Sequence, residues 1–258
     1  MKSSELGTSG TSLERELAGT GYAFVHASTM SDRLSATGPL TDWPAFASSW
    51  DHLDVDAYLG DGERYRRRRF AVYRIAPDGA IERQAHQPHF QHVEYNRLFG
   101  GVERWFSPIA DDIGAGPTMT TVLRFCDRLF SGLSVAALNG ARPDRNAWHV
   151  EVHQFRIEAR ADAPGRPTPE GVHRDGVDYV LVLLVNRENI VSGTTTVYDL
   201  DGRALGSFTL TDPLDAALVD DTRVAHGVTP VAPLDPLRAG HRDVLVVTFR
   251  CLQAPASS

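Results

Sequence analysis

The sequence predicts a mainly β fold with flanking helices, its second half a jelly roll. Three observations carry this. After Trp148 the chain divides into many short runs of β-formers separated by Gly, Pro, Asp and Asn. No long helices intervene between those runs, as a parallel sheet would require. Before them, Pro117–Leu138 carries Met119, Val122, Leu123, Cys126, Leu129 and Phe130 at three-and-four spacing, which reads as an amphipathic helix started by Pro117 and buttressing a sheet.

Taken in order, Ser12–Ala18 reads as a short helix and Gly21–His26 as a strand. The signal is mixed from there to Asp61, with helix expected around Trp43–Tyr58. Tyr65–Ile75, the turn Pro77-Asp-Gly-Ala80 and Ile81–Gln84 form a hairpin pattern. The later strands are expected at Trp148–Ile157, Tyr179–Val185, Thr194–Tyr198, Gly206–Thr209, Ala216–Val219, Gly227–Val231 and Asp243–Cys251, with Ala161–Glu170 a loop. Residues 1–258 are read as a single catalytic domain: 1–147 as a mixed α/β part forming buttress and substrate pocket, 148–252 as the jelly-roll core.

Composition narrows the function classes. Apolar content of 42% and charged content of 23% suit a soluble globular protein, and no apolar run approaches the ~20 residues of a membrane span. The polar start, Met1–Thr11, lacks the apolar core of a secretory signal, so a cytoplasmic location is expected. A formal net charge of −7 argues against nucleic acid as a general partner and for a small molecule; oligomeric state is not legible. The two cysteines, Cys126 and Cys251, form no C-x-x-C pair and read as core residues.

The chemistry concentrates late in the chain. In Gly171-Val-His-Arg-Asp-Gly176, His173 and Asp175 stand two apart, so an extended backbone turns an imidazole and a carboxylate to one side. Alone, that spacing arises readily by chance. His226, in Asp220-Asp-Thr-Arg-Val-Ala-His-Gly-Val-Thr-Pro230, adds the second imidazole, and two His plus one carboxylate form a facial triad that leaves coordination positions open. Arg242 begins a final strand whose alternation puts Arg242, Val244, Val246, Thr248 and Arg250 on one face. Its planar fork suits a carboxylate, with Thr248 and Arg250 as lesser candidates.

These residues resemble the Fe(II)/2-oxoglutarate dioxygenase superfamily. The wording Pro169-Glu-Gly-Val-His-Arg-Asp-Gly-Val-Asp-Tyr-Val180, Asn186-Arg-Glu-Asn189, His226 and Arg242-Asp-Val-Leu-Val is similar to the bacterial branch containing L-isoleucine 4-hydroxylase. The resemblance runs from Trp148 to Cys251, with looser echoes at Tyr65–Phe70 and Gln91–Gly101. It implies a cupin-like double-stranded β-helix and Fe(II), 2-oxoglutarate and O2 as cofactor and co-substrates. His173, Asp175 and His226 would be the metal and catalytic residues, and Arg242 the anchor of 2-oxoglutarate. It further implies hydroxylation of an unactivated carbon of a small polar metabolite, a free L-amino acid being the specific expectation, with decarboxylation to succinate. Related halogenases replace the carboxylate ligand with a small residue; Asp175 disfavours that chemistry. Two alternatives stay open: a tailoring oxygenase that hydroxylates, desaturates or cyclises a peptide or secondary metabolite, and a non-catalytic metal-binding β-barrel sensor.

Substrate contacts are expected at Gln154 and Arg156, as one face of Trp148–Ile157, and at Gln91, Asn96 and Asn189, where the asparagines could instead serve turns. His153 reads as a core or supporting histidine. The run Arg66–Arg69 reads as solvated charge, although one of its arginines could meet a substrate carboxylate. His86, His89 and His92 lack carboxylate or cysteine partners at useful spacing and read as loop or pocket residues.

Overall fold

A computed structural model of the chain describes residues 12–59, 64–95, 98, 100–137 and 147–252. In chain order the elements are α1 (Ser12–Thr20), β1 (Tyr22–Val25), α2 (Ala27–Thr37), α3 (Trp43–Ser48), a 3-10 turn (Ser49–His52), β2 (Asp54–Val55), β3 (Arg66–Ile75), β4 (Ile81–Arg83), α4 (Asp111–Gly114) and α5 (Pro117–Ala137). The second half supplies β5 (Trp148–Ala159), β6 (Tyr179–Glu188), β7 (Ile190–Ser192), β8 (Thr194–Asp199), β9 (Ala204–Thr209), β10 (Ala216–Asp220), β11 (Val224–Val228), β12 (Val231–Pro233) and β13 (Gly240–Cys251).

The molecule is a mainly β jelly roll. Among the described residues, one antiparallel sheet runs β1-β10-β6-β13-β5-β3-β2, with β4 paired to β3. Two short antiparallel sheets, β11-β8-β9 and β12-β7, complete the barrel. Period-two alternation gives the large sheet two unlike faces. Leu245, Val247 and Phe249 of β13, with Val150 and Val152 of β5, pack against Phe46, Trp50, Met119, Leu123 and Phe130 from the helices. Each such side chain, fully buried, contributes ~1.5–3 kcal/mol. The opposite face packs Val180 and Val219 against Val197 and Val224 of the short sheet. The rest of that face lines a cavity.

α5 is placed by a tether as well as by its apolar stripe. Asp42, at the start of α3, accepts hydrogen bonds from the Thr118 N–H (2.8 Å) and hydroxyl (2.5 Å), capping the first turn of a helix 76 residues away.

Several boundaries differ from expectation. The helix sought over Trp43–Tyr58 stops at Ser48, and the chain passes through the 3-10 turn into β2. α2 and β7 carried no usable sequence signal. The strand sought at Gly227–Val231 is two strands, interrupted at Thr229-Pro230 because proline has no N–H for the ladder, so His226 lies within β11 rather than ahead of a strand. The expected helix end, Leu138, falls outside the described residues.

Candidate active site

A cavity of 340 Å³ opens between the large sheet and β11-β8, and Asp175, His226 and Arg242 all line it. His173 does so too, from an extended segment that pairs with β11. His173 N–H donates to the His226 carbonyl and His226 N–H to the His173 carbonyl, both at 2.9 Å. This exchange of hydrogen bonds fixes the two residues directly opposite one another, with ring centroids 4.6 Å apart. Asp175 follows two residues later, its carboxylate oxygens 3.8 Å from His173 Nε2 and 3.9 Å from His226 Nε2. One potential ligand atom from each residue lies within 4.8 Å of the others, close enough for one ion to touch all three.

Protonation agrees with that geometry. His173 Nδ1 sits 3.2 Å from the Gly171 carbonyl and donates to it, which turns Nε2 toward Asp175 and Glu170. Burial opposes a charge on this ring, but those two carboxylates outweigh it and raise His173, so an ion at Nε2 would take the place of a proton. Burial and the neighbouring His173 push His226 down to about 3, so it stays neutral, as a ligand must. Burial raises the Asp175 carboxyl, helped by the nearby Glu170 and opposed by His173. His226 Nδ1 is buried without a hydrogen-bond partner among the described residues.

What holds Asp175 in place is Asp221, a residue that sequence reasoning passed over. Its carboxylate is fully buried and accepts the N–H groups of Asp175 (2.9 Å), Gly176 (2.7 Å) and Val177 (3.1 Å). Its own carbonyl accepts Arg174 Nε at 2.6 Å. Burial and the nearby Asp175 push the Asp221 carboxyl up to about 6. Gly176 is required at the turn: its φ is +79°, and a Cβ there would stand 2.5 Å from the Tyr95 ring.

Arg242 is 3% exposed, and no ion pair meets it among the described residues. Its Nε has no hydrogen-bond partner, and burial together with Arg187 lowers it to about 10. Thr248 and Arg250 line the cavity from the same face of β13. They stand six and eight residues along the strand, roughly 20 Å or more from Arg242 at ~3.3 Å per residue. One carboxylate cannot reach both ends.

The other wall comes from β3, β5 and the segment before Phe106. Glu151 Oε2 accepts His89 Nδ1 at 2.9 Å, and His149 Nε2 stands 3.5 Å from its other oxygen. Burial opposes ionisation of Glu151, but the hydrogen bonds from His149 and His89 outweigh it and hold the carboxyl far below its usual range. Arg68 donates to His153 Nδ1 at 2.7 Å; a guanidinium only donates, so the proton of neutral His153 sits on Nε2. His89, Glu151 and His153 are close enough for an ion. Their protons already point inward, which suits a hydrogen-bonded network and not a metal.

Several expected contacts lie elsewhere. Gln154 faces the helices, where its amide donates to Ser49 Oγ at 2.7 Å, and Arg156 forks onto Asp243, both contacts 2.7 Å, and reaches Asp51. The cavity face of β5 is the alternate set, His149, Glu151, His153, Phe155 and Ile157. Asn189, at φ +47°, locks a turn: its amide donates to the carbonyls of Asp235, Arg238 and Ala239. Gln91 does line the cavity, donating to the Asp175 carbonyl at 3.2 Å and accepting Arg104 Nη2 at 3.4 Å. Asn96 lies outside the described residues.

Only half of the run Arg66–Arg69 meets solvent. Arg66 and Arg68, 6% and 4% exposed, point into the cavity and share Asp56 at 2.8 and 3.6 Å, while Arg67 and Arg69 pair with Glu158 and Asp54 on the other face. His89 gains a carboxylate partner that spacing could not foresee, since Glu151 is 62 residues away. His86 packs edge-on to Trp105, and His92 lines the cavity. No helix of the described residues is long and apolar enough to cross a membrane.

Comparison with known proteins adds an independent line. The family model for 2OG-Fe dioxygenase matches residues 47–248. A curated protein, 3(1)-hydroxy-L-isoleucine 4-dioxygenase of Pantoea ananatis (strain AJ13355), is 22% identical over 239 residues, covering 91% of this chain and 93% of its own. The crystal structure of a bsmA homolog from Methylobium petroleophilum PM1 matches with a TM-score of 0.81 and 35% identity, covering 95% of this chain and 94% of that one. The structure of IDO from Bacillus thuringiensis shares the fold at TM-score 0.72 and 17% identity, covering 93% of this chain and 98% of that one.

Proposed function

Since the chain belongs to the 2OG-Fe dioxygenase family, we propose that it hydroxylates an unactivated carbon of a free L-amino acid while 2-oxoglutarate is decarboxylated to succinate. It is a non-haem dioxygenase that uses Fe(II), 2-oxoglutarate and O2. His173, Asp175 and His226 are assigned to the ion, and Arg242 to the distal carboxylate of 2-oxoglutarate. The bound ion supplies the oxidising chemistry that couples loss of CO2 to insertion of one oxygen atom into a C–H bond.

One observation carries the assignment: a neutral His, a second His whose Nε2 faces the carboxylate, that carboxylate and a buried, unpaired guanidinium all line one cavity. A buried guanidinium without an anion is costly, and a bidentate carboxylate offsets that cost. Val182, Val244 and Val246 keep the same wall apolar and limit water at the reacting carbon. Both parts of the chain serve one catalytic unit in this reading, residues 1–147 as buttress and pocket and 148–252 as core. Support comes from β1, β2, β3 and β4, which belong to the same sheet as β5, β6, β10 and β13.

The amino-acid assignment takes its support from the Pantoea relative, whose name states such a substrate, and from a cavity of 340 Å³, at the small end of the range for ligand sites. The test is succinate release with Fe(II), ascorbate and 2-oxoglutarate across the free L-amino acids. At least one should stimulate turnover and gain one oxygen. Anaerobic Fe(II) plus 2-oxoglutarate should also give a weak visible charge-transfer band that His226→Ala loses. Persistence of the band in that variant would overturn the metal assignment, and no stimulation by any amino acid would overturn the substrate assignment.

A further inference from the structure

The cavity contains two opposite charges that do not meet. Arg104, 3% exposed, lines it with Nε lacking a hydrogen-bond partner among the described residues, and its one side-chain hydrogen bond there is the 3.4 Å contact with Gln91. Glu170 lines the same cavity, with Oε1 3.5 Å from His173 Nε2 and Oε2 buried without a partner. The two are near enough to act on one another electrostatically, yet no ion pair joins them. Both stand beside the triad, Glu170 through His173 and Arg104 through Gln91, whose amide donates to the Asp175 carbonyl at 3.2 Å.

The other charged groups of that wall are already engaged. Asp56 holds Arg66 and Arg68, and Glu151 takes His89 and His149, so both carboxylates are spent, whereas Glu170 keeps one buried oxygen, Oε2, without a partner. Arg68 lies over the Phe106 ring at 3.5 Å with its own Nε unpartnered, and adds positive potential beside Arg104. Leaving a buried donor and a buried acceptor unmade is costly, and native sites retain such atoms where a ligand completes them.

We propose that Arg104 and Glu170 form a split ion pair that recognises a zwitterion, Arg104 receiving the α-carboxylate of the substrate and Glu170 its α-ammonium, with Arg68 supporting the carboxylate end. This rests on the amino-acid reading given above and adds the groups that read the two backbone charges. A peptide, with only one of those charges at each end, would leave one partner buried and unmet. The pair therefore selects free α-amino acids over peptides, amides and simple carboxylic acids.

The experiment uses the full chain loaded with Mn(II) and 2-oxoglutarate without O2, and with Fe(II) for turnover. The twenty proteinogenic L-amino acids are the first probes. The one that most stimulates succinate release is then compared with its carboxamide and its des-amino acid in wild type, Arg104→Met, Arg104→Lys and Glu170→Gln, reading calorimetric Kd and kcat/KM. Arg104→Met should weaken the amino acid by about 100-fold, as loss of one partner of a buried charge pair does, and change the carboxamide by less than about 3-fold. Arg104→Lys should recover part of the loss. Glu170→Gln should weaken the amino acid while sparing the des-amino acid. Wild type binding the carboxamide as tightly as the amino acid, or Arg104→Met weakening both by the same factor, overturns the split pair and leaves the amino-acid reading standing. If no amino acid binds or turns over, the amino-acid reading falls and takes the split pair with it.

Discussion

Asp221 is a carboxylate spent on main-chain N–H groups. Three of them converge on it from Asp175, Gly176 and Val177, so it fixes the backbone that presents the Asp175 carboxylate to the cavity. Asp221→Ala would leave those donors buried and unmet, a loss on the order of 3 kcal/mol of folding free energy. It should also weaken Mn(II) binding by tenfold or more, the range seen when groups that orient metal ligands are removed. Urea melts and metal titration of the variant check this; unchanged values in both would mean that the turn holds itself. That His173, Asp175 and His226 meet in one place was legible, because two-residue spacing and residue type mark them as a candidate set. Asp221 was not, because a residue that binds backbone leaves no trace in the identity of its partners.

Strand β5 illustrates what a pattern reveals about an element and what it omits. Alternation correctly divides Trp148–Ala159 into two faces, but it does not say which face meets the cavity. Gln154 and Arg156, expected at the substrate, lie on the face that meets the helices, where Val150 and Val152 mark the apolar side. Arg156 is instead a clip between strands, opposite Asp243 in the register of β5 and β13 and bonded to it through both carboxylate oxygens. The Asp243 side chain is 1% exposed and that of Arg156 14%, so breaking the pair leaves a buried carboxylate. Arg156→Met should cost about 3–5 kcal/mol, and adding Asp243→Asn should return most of it. A double variant whose loss equals the sum of the single losses would show that the two side chains do not act as a pair.

At the scale of the whole molecule, the site is assembled from segments far apart in the chain. β3 brings Arg66 and Arg68 against β5, and the loop carrying His89 and Arg104 meets Glu151, so the polar wall exists only after the barrel closes. No local window of sequence holds that information. The hydrophobic pattern shows the β-rich half, the helix buttress, α1, β1 and the β3–β4 hairpin, whereas the stretch from His26 to Asp61 carries a mixed signal and the burial of the charged strand β3 is hidden because its partners lie elsewhere in the chain. The closed barrel also holds more uncompensated charge than folding alone would favour, most clearly at Arg242, where burial and the cation Arg187 outweigh the support of Asp243. Stability should therefore rise with ligand. Saturating 2-oxoglutarate at about 100 times its Kd, with Mn(II) and no O2, adds ~2.7 kcal/mol and raises Tm by roughly 5–10 °C. Arg242→Met should abolish the 2-oxoglutarate increment while keeping that of Mn(II). Without ligands it should melt no lower than wild type, because an apolar side chain replaces an unpaired buried cation. A variant that melts lower without ligands, or one that 2-oxoglutarate still stabilises, would place the carboxylate anchor elsewhere; the expected pair of results would mark Arg242 as a residue retained for its ligand at the expense of the fold.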